Sequence, residues 1–150
     1  MFRGVLENQN QQLTSLKNEM DFIDSYLAIQ KLRFENKISL QLDIAENCME
    51  AELPFMLLHT LVENAVQHGS QLESDENIML LKVSSVDNRL NINLLNKASK
   101  SDDHKGFGIG VSNTRDRLEK LYKVYRLDLC AKRGGFFETT LAIPISVANV

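Results

Sequence analysis

The chain has 150 residues, 43% hydrophobic and 25% charged, with a formal net charge of −3. That is enough chain for one domain with a proper core, and the balance is that of a globular protein, not a disordered one. The acidic excess argues against a nucleic-acid surface, no apolar run approaches membrane-spanning length, and the start has no signal-peptide pattern.

Met1–Gln11 is polar and rich in Asn and Gln, and it reads as a connector. Residues 1–15 are therefore expected to lead into a single domain over 16–150. Ser15 is suited to cap a helix beginning at Leu16, with Glu19 and Asp21 early in it, where negative charge suits the helix dipole. Leu16, Met20, Ile23 and Leu27 form an apolar stripe at helical spacing, which marks a packing helix. Lys37–Ala45 alternates Ile38, Leu40, Leu42 and Ile44, the pattern of a strand with one buried face. Glu46–Glu52 is polar and irregular, and Pro54 suits the first turn of the next helix.

That helix runs to about His68, with Gly69 as its stop. Leu57, Leu58, Leu61, Val62, Ala65 and Val66 cover its core side. Thr60, Asn64 and His68 recur at i, i+4, i+8 on the opposite face, flanked by Glu63 and Gln67. A half-buried amphipathic helix and a functional stripe both show this pattern. Ile78–Val86 and Leu90–Leu95 pair around Asp87-Asn88 as a hairpin. Asn96–Lys105 is polar and lacks an apolar anchor. Gly106-Phe107-Gly108-Ile109-Gly110 reads as a turn feeding a helix over Gly110–Lys123. Val124–Lys132 and Phe136–Ile143 flank Arg133-Gly134-Gly135 as a second hairpin. The order predicts an α+β two-layer sandwich, with helices on one face of a mixed, mostly antiparallel sheet. Cys48 and Cys130 show no metal spacing and are expected to be free thiols in a reducing compartment.

Gly106, Gly108 and Gly110 ahead of a helix would let backbone N–H groups approach phosphate oxygens, with the helix dipole behind them. A flexible loop with a tight turn shows the same pattern. No Gly-Lys-Ser/Thr follows, so this is not a Walker A loop, and no parallel strand directly precedes it, as a Rossmann turn requires.

Pro54, Leu61–Gly69 (LVENAVQHG), Gly106–Tyr122 (GFGIGVSNTRDRLEKLY) and the tail Gly134, Gly135 and Pro144 together resemble the N-box and second glycine box of the GHKL (Bergerat-fold) ATPases. The closer resemblance is to the catalytic domain of LytS-like sensor histidine kinases, where a segment similar to Leu16–Phe34 precedes the domain. Each motif alone is weak; the ordered set, which covers nearly the whole chain, is specific.

The resemblance implies a site for ATP and Mg²⁺. Asn64 matches the family's metal-binding asparagine, and a single side-chain carbonyl on a rigid helix suits an ion that keeps several waters. Glu63, beside it, is expected to assist positioning or act as a base. Gln67 and His68 fall where the family faces the phosphates, and Gln67 lacks the positive charge often found there. Arg115 and Arg117 follow on the next helix; one of them, with Arg117 the candidate, could contact the phosphates, and both are as capable of being solvated or paired. For adenine the family uses an Asp-x-Gly-x-Gly box. Here Asn96 stands at the Asp position, with Ala98 and Lys100 in place of the glycines. An Asn still offers a carbonyl acceptor, without the charge-assisted strength. Gly134, Gly135 and Thr139 resemble the closing hairpin, with Thr139 at most lining the adenine pocket. Lys97–Lys105 would form the lid.

His59, His68 and His104 lie outside any dimerisation-helix context. The resemblance therefore places the phosphoacceptor histidine outside this chain, upstream. The implied partners are the dimerisation and phosphoacceptor helices of the same kinase, with a response regulator downstream and a homodimer only at full length. The implied location is cytoplasmic, within a sensor anchored in the bacterial inner membrane. A different expectation is a degenerate, non-catalytic domain serving as a signalling or dimerisation scaffold. A third is another ATPase of the fold, such as an anti-sigma-factor kinase or a chaperone-type ATPase, which would lack the Leu16–Phe34 segment.

Overall fold

The computed structural model describes residues 13–33, 37–69, 77–97 and 105–145; the side chains of 68–69 and 105–112 lie outside that description. The elements run β1 (Leu13–Ser15), α1 (Leu16–Arg33), β2 (Ile38–Ile44), a 3-10 turn (Glu46–Cys48), β3 (Glu52–Pro54), α2 (Leu57–Gly69), β4 (Asn77–Val86), β5 (Arg89–Lys97), α3 (Lys105–Leu121), β6 (Arg126–Lys132) and β7 (Phe136–Pro144). Five strands form one sheet in the order β2-β4-β5-β7-β6. β2 and β4 are parallel, which demands a crossover, and α2 lies within it. The other three pairings are antiparallel. This is the α+β, mixed and mostly antiparallel sheet that the sequence pattern predicts.

Both hairpins form where their turn residues allow. Asp87 and Asn88 both have positive φ, 53° and 61°, the conformation of a type I′ turn. Gly134 and Gly135 turn the second hairpin at φ 81° and 78°, a region that L side chains rarely adopt. One face of the sheet is apolar: Met79, Leu81 and Val83 on β4, Leu90, Ile92 and Leu94 on β5, and Leu141 and Ile143 on β7 are all buried. Leu16, Met20, Ile23 and Leu27 of α1 join the same core, as do all six apolar α2 positions named above and Leu118 of α3.

Four expectations change. Leu42 is 50% exposed, because β2 is an edge strand: Ile38 of its alternating set is fully buried, while Leu40 and Ile44 pack against the core only in part. Pro54 does not open a helix; it ends β3, a short strand paired with β1. The irregular stretch 46–52 contains a 3-10 turn and the start of β3. The third helix starts at Lys105, so Gly106, Gly108 and Gly110 lie inside it and not in a turn ahead of it. The glycine penalty, about 1 kcal/mol per residue, is small enough for a helix anchored by buried residues such as Thr114 and Leu118 to override.

The starts of α1 and α2 are tied to one another. Ser15 caps α1 as expected, its Oγ accepting from Asn18 N–H at 3.2 Å. The N–H groups of Leu16 and Lys17 donate to the carbonyls of Ala51 and Met49, at 2.9 and 3.0 Å. In return Glu19, fully buried, caps the start of α2. Its Oε2 accepts from Met56 N–H at 3.0 Å, and its Oε1 from Leu58 and His59 N–H at 3.1 and 3.5 Å. Glu19 thus meets a helix N-terminus other than its own. This explains why α2 begins at Leu57 without a side-chain cap from its own segment.

Burial pushes the Glu19 carboxyl above the usual carboxylate range, against the opposing pull of the three N–H donors and of nearby His59. The native state therefore holds this proton more tightly than the unfolded chain does. The associated stability is complete below about pH 4.5 and is lost as pH rises through the native value. We expect the stability of the natural chain relative to Glu19→Gln to fall with rising pH across that window, measured by urea unfolding. A pH-independent difference would contradict the assignment. Leu141→Ala, at a fully buried position, is expected to cost about 2–5 kcal/mol in the same assay.

Candidate nucleotide site

The sheet supplies the most sharply defined group. Asn96, near the end of β5, is 1% exposed, with Met79 of β4 and Phe137 of β7 opposite it in register. Its Nδ2 donates to the Lys97 carbonyl at 2.8 Å, which fixes the direction of the amide. Its Oδ1 is buried and has no hydrogen-bond partner among the described residues. An unsatisfied buried acceptor is unusual in a folded protein and asks for an explanation. A base bearing an exocyclic amine would satisfy it, so the residues present fit an adenine nucleotide. Thr139 is also buried and pairs with Leu94 on the same face, diagonal to Asn96.

Helix α2 presents the polar stripe. Asn64 and Glu63 are half-buried, and Gln67 is exposed. His68 lies in the same helix, its side chain outside the described residues. Thr60 turns inward on its own helix, its hydroxyl donating to the Met56 carbonyl at 2.8 Å. Glu63 faces His59 one turn back, Oε2 to Nε2 at 3.6 Å. The His59 ring packs on Tyr26 of α1, centroids 5.1 Å apart, and its Nδ1 is buried without a partner among the described residues. Burial pushes the Tyr26 hydroxyl up to about 12, with the charge of Glu63 adding to the effect and that of Arg33 opposing it. Glu63 therefore belongs to a polar cluster between α1 and α2. Asn64, the next residue, is rotated about 100° from it around the helix.

Helix α3 brings the glycines. Gly106 and Gly108 fall among its first four residues, whose N–H groups have no intrahelical acceptor. A phosphate-binding role for the backbone thus moves from a loop to a first helical turn. Two turns beyond Gly110, Arg117 donates from Nη2 to the Phe55 carbonyl at 2.6 Å, and Arg115 donates to the Leu127 carbonyl at 2.7 Å. Residues 98–104, most of the expected lid and including Ala98, Lys100 and His104, lie outside the described residues. No group of three or more His, Cys, Asp or Glu suited to a metal occurs among the described residues. A metal here would rely on Asn64 and on the oxygens of a bound nucleotide. Cys48 and Cys130 are free thiols, the first buried and the second exposed.

Sequence reasoning missed the cap at Glu19 and the partner of Arg117. The signal for Glu19 was present: it stands at helical spacing inside the apolar stripe of Leu16, Met20 and Ile23, where an acidic residue must find donors.

Known proteins bear on this arrangement. A family model described as histidine kinase matches residues 1–38. Sensor protein LytS of Oceanobacillus iheyensis is 28% identical over 134 residues, spanning 79% of this chain and 23% of LytS. Sensor protein kinase HptS of Staphylococcus aureus is 27% identical over 154 residues, spanning 94% of this chain and 30% of HptS. The chain thus covers less than a third of the length of either relative. In three dimensions it resembles histidine kinase AdeS of Acinetobacter baumannii, with a TM-score of 0.66 at 14% identity, over 95% of this chain and 73% of that one. It also resembles the catalytic domain of histidine kinase ThkA in a nucleotide-free form, with a TM-score of 0.64 at 11% identity, over 91% and 98% of the two chains. At these identities the solved structures speak for the fold alone. The chain is thus similar in sequence to LytS-like sensor histidine kinases and in fold to histidine-kinase catalytic domains.

Proposed function

We propose that this domain binds Mg-ATP between α2 and the start of α3 and serves transfer of the γ-phosphoryl group to a histidine outside the chain. The observation that carries the reading is the buried, unpartnered Oδ1 of Asn96, oriented by its own Nδ2 bond to Lys97. A carbonyl in that setting selects a hydrogen-bond donor, as the adenine amine is, and disfavours a guanine carbonyl. Full-length ShkA, solved in complex with AMPPNP, shares the fold with a TM-score of 0.64 at 14% identity, over 93% of this chain and 32% of that one.

Asn64 would hold the metal through its side-chain oxygen, and Thr139 would line the adenine end. Gln67, with His68 by the resemblance, would face the phosphates, and the first N–H groups of α3 would donate to phosphate oxygens. Mg-ATP supplies the transferable phosphoryl group and the cation that neutralises its oxygens. In the transfer, the bond from the γ-phosphorus to the β,γ-bridging oxygen breaks and a bond to an imidazole nitrogen forms. ADP leaves, and Glu63 orients or takes the proton that the imidazole gives up. The partners on this reading are the phosphoacceptor helices of the same kinase and, indirectly, a response regulator. The site of action is cytoplasmic, with any membrane anchor outside the described residues, where no helix is long and apolar enough to cross a membrane.

Calorimetric titration with a non-hydrolysable ATP analogue tests this. We expect saturable binding that weakens without Mg²⁺, and an Asn64→Ala variant that no longer responds to the metal. Asn96→Ala is expected to lose about tenfold in affinity, the worth of one hydrogen bond in a buried site, and the GTP analogue should bind more weakly than the ATP analogue. No binding at millimolar nucleotide would sink the reading.

A further inference from the structure

The turn Phe55–Met56, between β3 and α2, is held from both sides by helices that are remote from it in sequence. From α1, Glu19 accepts the Met56 N–H, and the Phe22 ring packs edge-on against Phe55, centroids 6.1 Å apart. From α3, Arg117 donates to the Phe55 carbonyl at 2.6 Å. Met56 adopts φ 66°, a left-handed conformation unfavourable for a side chain of its size, which persists only where surrounding contacts impose it. The same turn begins α2: the Met56 carbonyl accepts from both the N–H and the hydroxyl of Thr60, at 2.9 and 2.8 Å.

The geometry places this turn at a common distance from both arms of the site. Asn64 lies two helical turns along α2 from Leu57, about 10 Å. Gly110 lies the same number of residues before Arg117 on α3. A rotation of either helix at the turn would be carried along a rigid rod to the phosphate side. We propose that Phe55–Met56 is a coupling node, and that Glu19 and Arg117 are positioning residues through which α1 and α3 jointly set the placement of Glu63 and Asn64. Arg117 then acts on nucleotide affinity through the backbone of Phe55 and not through the phosphates. Displacement of α1 and occupancy of the site become linked in both directions, as any coupling free energy requires. In affinity, this inference rests on the proposed nucleotide site; in backbone protection, it does not.

Two measurements test it on the chain as it stands. The first is amide hydrogen exchange without nucleotide on the natural chain, Arg117→Met and Arg117→Lys. Arg117 touches none of the N–H groups that Glu19 accepts. We nevertheless expect Arg117→Met to raise exchange at Met56, Leu58 and His59 about tenfold, with β4, β5 and β7 amides unchanged. Arg117→Lys, which keeps a donor, should recover most of the protection. Unchanged exchange at these three amides, or a rise spread evenly over the sheet, would overturn the node. The second is a double-mutant cycle on affinity for the non-hydrolysable ATP analogue with Glu19→Gln and Arg117→Met. Each single change should weaken binding about five- to tenfold, and the double change should weaken it by much less than the product, as coupled residues do. Multiplicative losses would overturn the coupling. If the natural chain binds no nucleotide, the proposed function fails and the exchange experiment alone decides the node.

Discussion

A single buried carboxylate organises the helical layer. Glu19 lies in the first turn of α1 and accepts three N–H groups at the start of α2. Two positive helix ends are thereby brought together around one negative group. The first N–H groups of α1 are in turn satisfied by Ala51 and Met49, just upstream of the same turn. Neither helix can slide along the other without breaking the Glu19 bonds at the start of α2. The arrangement has a cost, since burial outweighs the donors and raises the proton affinity of the carboxyl. What it secures is position, because the helix so fixed carries Glu63 and Asn64.

The site divides its work between two kinds of support. The proposed adenine end would rest on the sheet, where Asn96 is held between Met79 and Phe137 and its amide is locked by Lys97. Strand pairing on both sides leaves that acceptor little freedom. The proposed phosphate end would rest on helix surfaces and helix starts, which are set by tertiary contacts. Glu63 also faces His59, which packs on Tyr26, so the α1–α2 interface and the stripe that holds Asn64 share one helix turn. On that proposal the reader of the base would be held by strand pairing, and the groups nearest the phosphate would answer to the packing of three helices.

Much of the fold was legible because its signals are local. The alternation on β4 and β5, the Asp87-Asn88 turn and the Gly134-Gly135 turn each act within a few residues. The apolar stripes of α1 and α2 match the buried sets residue for residue. The failures are equally instructive. β1 and β3 are three residues each, too short for any period, and they exist because they pair with one another. Pro54 was misplaced because its missing N–H is as harmless on a short ribbon as in a first helical turn. The α3 glycines were misplaced because propensity near a helix start is weak beside the packing of the turns that follow.

By itself the sequence determined which residues are candidates and in what order: the polar stripe of α2, Asn96 in place of an acid, the glycines before Arg117, and a core sufficient for one α+β domain. Tertiary structure alone decided their partners. Glu19 reaches donors 37 to 40 residues away, and Arg117 a carbonyl 62 residues away. The orientation of the Asn96 amide, which leaves its oxygen as the open acceptor, depends on the path of the chain at Lys97. The reason is physical. Periodicity and turn chemistry depend on neighbours in the chain, whereas a buried polar group is satisfied by whatever the fold brings against it.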